Sequence, residues 1–128
     1  MKGTQTFLVA ACGLTLACRD PFGLAPDVKL PISELTVAET TSPLGPLSAT
    51  VTVVTGGCRE FDHITSTRKA AVVILEAWGK DDSGKLACTD DIRYEPHQHS
   101  IAGPFTDPLI ISAVQPDGTA ITKTVKVQ

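Results

Sequence analysis

Apolar and polar residues alternate most regularly over residues 47–54. Leu47, Ala49, Val51 and Val53 fall on one side there, and Ser48, Thr50 and Thr52 on the other. A period of two is the mark of a strand with one buried face. Residues 35–39 repeat the pattern over a shorter run, and Ser42-Pro43 with Gly45-Pro46 makes a turn of residues 40–46. Gly56 and Gly57 end the regular strand, and residues 59–69 are polar, with Phe61 and Ile64 as the inward anchors. Residues 72–79 are apolar on both faces as far as Glu76, as in a central strand, and Trp78 is expected in the core or at its rim. A solvated turn at residues 80–85 leads to a strand over residues 86–95 that carries Cys88, Ile92 and Tyr94, and residues 96–108 read as loop. Residues 109–115 and 121–127 form a hairpin about Pro116-Asp117-Gly118, where proline presets φ and glycine supplies a positive one. No helix of useful length and no repeat can be placed.

These runs amount to about seven short strands within residues 34–128, separated by turn signals. The expected fold is all-β, an immunoglobulin-like antiparallel β-sandwich, with a small closed β-barrel as the alternative that strand counting leaves open. Composition agrees: ten glycines and nine prolines punctuate a chain of 128 residues that is 42% hydrophobic, enough for one core.

The N-terminal stretch has a different character. Lys2 is followed by an uncharged, mostly apolar run over residues 7–17, the length of a signal-peptide core and too short to span a bilayer. Leu14-Thr15-Leu16-Ala17-Cys18 resembles the lipobox of bacterial lipoproteins, departing from it at Thr15, where leucine is more usual. The resemblance implies cleavage before Cys18 and acylation of that cysteine. It divides the chain into a signal peptide (1–17), a lipid-anchored tether (18–33) broken by Pro21, Pro26 and Pro31, and the β-domain (34–128). Cys12 is a rival position, but cleavage there leaves only about five apolar residues ahead of the cut. An ordinary cleaved secretory signal is the plainer alternative. Arg19 stands where an aspartate would resemble an inner-membrane retention signal, which directs the expectation to the outer membrane or the cell surface.

Removal of residues 1–17 takes away one basic residue and leaves ten basic and 14 acidic ones, a net charge of −4. That balance argues against nucleic acid and against a polybasic membrane patch, so membrane attachment would come from lipid. Cysteine usage fits the same picture. With Cys12 lost in the signal and Cys18 acylated, Cys58 and Cys88 form an even pair and are expected to be a structural disulfide of an oxidising compartment.

Few residues offer chemistry. His97-Gln98-His99 places two imidazoles on one side of an extended chain, where copper or zinc would suit them with His63, Asp62 or Glu95 completing the shell. With no metal-ligand spacing elsewhere, the preferred reading of the pair is exposed loop histidines beside Pro96. Asp81-Asp82 and Asp90-Asp91 could meet across a hairpin, but calcium needs six or more oxygens, and solvated turn charges explain both pairs. The chain has no Gly-x-Ser-x-Gly elbow, no His-Glu-x-x-His and no phosphate-cradling glycine loop.

The pattern Gly57-Cys58, Phe61-Asp62, an alternating strand, Cys88-Thr89 with Ile92, and a terminal hairpin resembles small secreted bacterial β-sandwich domains with one disulfide. The resemblance covers about the last two-thirds of the chain and brings no catalytic motif. The function expected is a lipid-anchored binding or structural module of the cell envelope, not an enzyme, without cofactor and with a protein or envelope partner. A metal-binding lipoprotein using His97 and His99 is the alternative, and a small hydrolase the third reading.

Overall fold

The computed structural model describes residues 27–84 and 87–128, and among these the chain forms nine strands and no helix. In chain order they are β1 (Asp27–Leu30), β2 (Ile32–Val37), β3 (Thr40–Thr41), β4 (Leu47–Thr55), β5 (Arg59–Lys69), β6 (Val72–Asp81), β7 (Arg93–Ile101), β8 (Leu109–Val114) and β9 (Ala120–Val127). The signal peptide, Cys18 and residues 19–26 of the tether lie outside the described residues.

The strands form two sheets and no closed barrel, so the sandwich is the observed alternative. The smaller sheet has the order β2-β4-β7 and is antiparallel throughout. The larger is built on β6, with β5 along one side. The other side of β6 is shared, β8 pairing with residues 72–75 and β1 with residues 77–80, and β9 and β3 continue outward from β8. The β6–β8 and β3–β9 pairs are parallel, so this sheet is mixed. The chain reverses direction after β6 to enter β7 in the other sheet and reverses again to return, which leaves β8 running with β6.

Pro31 is where the chain changes sheets. It has no N–H to give to a ladder, and its carbonyl accepts from Val54 N–H at 2.9 Å as the strand passes from β1 into β2. The Gln115 side chain bridges the switch. Its Oε1 accepts from Ile32 N–H at 2.8 Å and its Nε2 donates to Ile32 C=O at 2.6 Å. The sandwich therefore takes in residues 27–33 of the stretch 18–33 read as tether, because Leu30 (0% exposed) and Ile32 (3%) are core residues.

Between the sheets lie Leu47, Ala49, Val51 and Val53 of β4, the row that the alternation singles out, against Val73, Leu75 and Ala77 of β6 and Leu109, Ile111 and Ala113 of β8. Phe61 and Ile64 pack on this core from β5, as expected of them. Residues 59–69 are a full edge strand. Two readings are corrected. Residues 87–92 are not strand, and β7 runs instead through residues 93–101, which include the start of the expected loop. Trp78 lies on the outward side of β6, half-buried, between the buried inward residues Ala77 and Gly79. A bulge at Asp62 brings the Glu60 carbonyl so close to Gly79 that a Cβ there would stand 2.2 Å from it.

Candidate functional site

The lateral seam between β5 and β7 gathers three of the residues singled out for chemistry, Glu95, His97 and His99. These strands are edges of different sheets, joined by side chains rather than by a ladder. Residues paired directly across a sheet share a face. Glu95, His97 and His99 pair with Val53, Val51 and Ala49, all buried, so this polar row points to the core side of β7. It stays half-buried because β7 is an edge and the row closes the side of the sandwich.

From the other sheet the Phe61 ring stacks on His97, with centroids 3.7 Å apart and planes 15° from parallel. His97 Nε2 lies 3.3 Å from Glu95 Oε1, and Thr55 Oγ1 donates to Glu95 Oε2 at 2.6 Å. The Thr55 hydroxyl, ahead of His97 and Arg93, holds the Glu95 carboxyl below the usual range, with burial opposing it. His99 Nε2 is 3.2 Å from Ser66 Oγ on β5. At the far end Arg68 donates to the carbonyls of Ala102 and Pro104, its guanidinium 5.1 Å from the centre of the buried Phe105 ring. The opposite end is tied by the Cys58–Cys88 disulfide, with Cα atoms 5.1 Å apart, as the cysteine count leads one to expect.

His63 does not join this group. It pairs with Trp78, so it faces outward from the larger sheet, on the other side of β5 from Phe61, and bonds Asp62 Oδ2 at 2.7 Å. The metal shell drawn from His63, His97 and His99 is thus split between two faces by the Asp62 bulge. Among the described residues no group of three or more His, Cys, Asp and Glu is placed to hold a metal ion. His97 and His99 do share a face, but on a strand and not in a loop.

The acidic pairs cap turns. Asp81 accepts from Ser83 N–H at 2.9 Å and from Arg59 Nε at 3.1 Å, and hydrogen bonds from Ser83 followed by Arg59 lower its pKa. Asp91 accepts from the Thr89 hydroxyl and from Gly57 N–H, which lower its pKa in that order. An open groove of about 410 Å³ runs between these turns beside the disulfide, reaching Pro31, Val54 and Ile92.

Chemically, the seam divides its partners. The carboxylate holds His97 and the serine hydroxyl holds His99, so among the described residues neither imidazole has both an acid to orient it and a hydroxyl to activate. The Thr55–Glu95 bond, the Phe61–His97 stack and the Arg68 clamp are absent from the sequence reading. The one available signal was the spacing of Glu95, His97, His99 and Ile101, which is the alternation of a strand whose inner row is polar. No family model, no curated protein and no solved structure matches this chain.

Proposed function

We propose that this chain is a lipid-anchored extracytoplasmic module that binds or braces a partner in the cell envelope and does no catalysis. The observation that carries this reading is the Cys58–Cys88 bond. It consumes the two cysteines of the domain, supports an oxidising compartment, and leaves Cys18 as the thiol at the end of an apolar run. The absence of catalysis is supported by the seam, where His97 is stacked on Phe61, His99 is bonded to Ser66, Arg68 to the chain after β7, and Glu95 to Thr55. Labelling with a fatty-acid analogue tests the anchor. Label should enter the wild type and Cys12→Ala, while Cys18→Ala should lose it and leave the membrane fraction or stall in processing. Label retained by Cys18→Ala, or none in the wild type, overturns the anchor.

A second reading, metal handling with copper or zinc, rests on the shared face of the two imidazoles His97 and His99 alone. Calorimetry decides it. A micromolar or tighter site lost on replacing both histidines by alanine would put this reading first.

A further inference from the structure

On the flank opposite the β5–β7 seam, β9 leaves most of its outer edge unpaired. Hydrogen bonds fix which way its backbone groups point. Gln115 N–H donates to Thr119 C=O at 2.7 Å, so in the same register Ile121, Lys123 and Val125 turn their N–H and C=O groups to β8. The even residues turn theirs away, as Lys126 N–H does in donating to Glu39 C=O at 2.8 Å. The β3 pair covers only Lys126 and Val127. Among the described residues no strand lies outside Ala120–Val125, so the edge groups of Thr122 and Thr124 are open. Beside them, between β9 and β2 of the other sheet, runs a groove of about 330 Å³ whose walls include Lys123, Thr124, Leu35 and Val37.

We propose that this edge receives an extended segment of another protein, added as a strand in line with β3, with an acidic residue opposite Lys123. Three observations select that occupant. Outward N–H and C=O groups at every second residue, about 6.6–6.8 Å apart, match the repeat of a polypeptide strand and of no other ligand class. β3 already occupies the same row with two residues, so the row accepts a strand and stands empty beyond it. Lys123 decides the side chain. It pairs with the buried Ile111, which puts it on the inner face, and it makes no ion pair among the described residues. A residue directly opposite it on an added strand stands about 5 Å away. Glu34 belongs to the other sheet, about 10 Å off, and Glu39 stands at the β3 end of the row, so Lys123 is the nearest charge. A second copy is excluded by the same residue. The antiparallel register that uses Ile121–Val125 of both copies sets Lys123 against Lys123, and like charges directly opposite repel.

The inference deepens the binding-module reading and rests on it. The probe is the blocked pentapeptide Val-Thr-Glu-Thr-Val, whose palindromic sequence sets glutamate against Lys123 in either strand direction. Amide exchange of the full chain, resolved by NMR, should find Thr122 and Thr124 fast and Ile121, Lys123 and Val125 slow. Peptide at about 5 mM should slow Thr122 and Thr124 several-fold and leave the other three unchanged. Thr124→Pro removes an outward N–H where an edge strand tolerates proline. It should melt within a few degrees of the wild type and lose the protection at Thr122. Lys123→Glu should lose the response to this peptide and gain one to Val-Thr-Lys-Thr-Val, and this swap decides alone if Thr124→Pro does not fold. Slow exchange of Thr122 and Thr124 in the protein without peptide overturns the proposal, because a second copy or another part of this chain then holds the edge. So does silence of both amides at about 10 mM peptide. An equal response of the wild type to the lysine peptide, or a folded Thr124→Pro that still shields Thr122, overturns it as well. The two readings fail separately: acyl labelling judges the anchor with no peptide present, and exchange is read in solution with no lipid.

Discussion

Thr55 is the one fully buried polar side chain among the described residues, 4% exposed, and its hydroxyl is committed to Glu95. A hydrogen bond to a charged acceptor is stronger than a neutral one, and losing the donor leaves the carboxylate short of a partner in a half-dry seam. Thr55→Val keeps the shape and removes the bond. It should cost about 1–2 kcal/mol near neutral pH, measured by urea denaturation. The pH dependence has a definite sign. The folded-state pKa of Glu95 is lowered, so its contribution is complete above the ordinary glutamate value and is lost as pH falls through the folded value. The gap between wild type and Thr55→Val should therefore close on acidification. A gap that stayed constant as the pH fell would assign the effect to packing and not to the bond.

The strands differ in how plainly the sequence announces them, and the reason is where each sits. β4 lies between two neighbours with one dry face, so its alternation is clean. β7 is an edge, and there Pro96 needs no partner for the N–H it lacks; in the sequence that proline reads as a loop signal. Its inner row is Glu95, His97 and His99, so nothing apolar marks the buried side until Ile101. β5 is hidden in the same way, with only Phe61 and Ile64 packed on the core and a bulge that shifts the alternation midway. The candidate site was half legible: the shared face of His97 and His99 follows from their spacing, whereas Phe61 and Ser66 come from a strand of the other sheet, which no local pattern reveals. At the switch from β1 to β2, Gln115 stands in for a strand by satisfying both backbone groups of Ile32. Gln115→Leu should orphan both in a part-buried place and cost about 2–4 kcal/mol. Gln115→Glu keeps the acceptor for Ile32 N–H but sets a carboxylate oxygen against the Ile32 carbonyl, so it too should destabilise near neutral pH, and less in acid, where the protonated group can donate. Equal stability of Gln115→Leu and wild type in denaturant would show that water replaces the side chain.

The two sheets are locked on one flank by the side-chain seam, and the disulfide ties one end of it. The bond joins the entry to β5 with the segment leading into β7, and its closed loop of 30 residues contains all of β6, the strand on which the larger sheet is built. On the chain-entropy account, closing a loop of that length stabilises the fold by about 3.5 kcal/mol. A domain of this size has only roughly 5–15 kcal/mol in all, so the bond is a large share of it. The core itself does not depend on the cystine. Cys88 is exposed, while Val51, Val53, Val73, Leu75 and Ile111 are buried between the sheets. Reduction should therefore lower the melting temperature by many degrees yet leave the β-type circular dichroism at room temperature intact. Hydrogen exchange should quicken first in residues 87–95 and at the start of β5, and last in β4 and β6, because the seam loses its tie before the core loses its packing. The double replacement Cys58→Ser with Cys88→Ser should reproduce the reduced protein. Two free thiols titrated in the native protein would remove the stapled seam and, with it, the support for the proposed oxidising compartment, and uniform exchange across all strands on reduction would show that the sandwich opens as one unit.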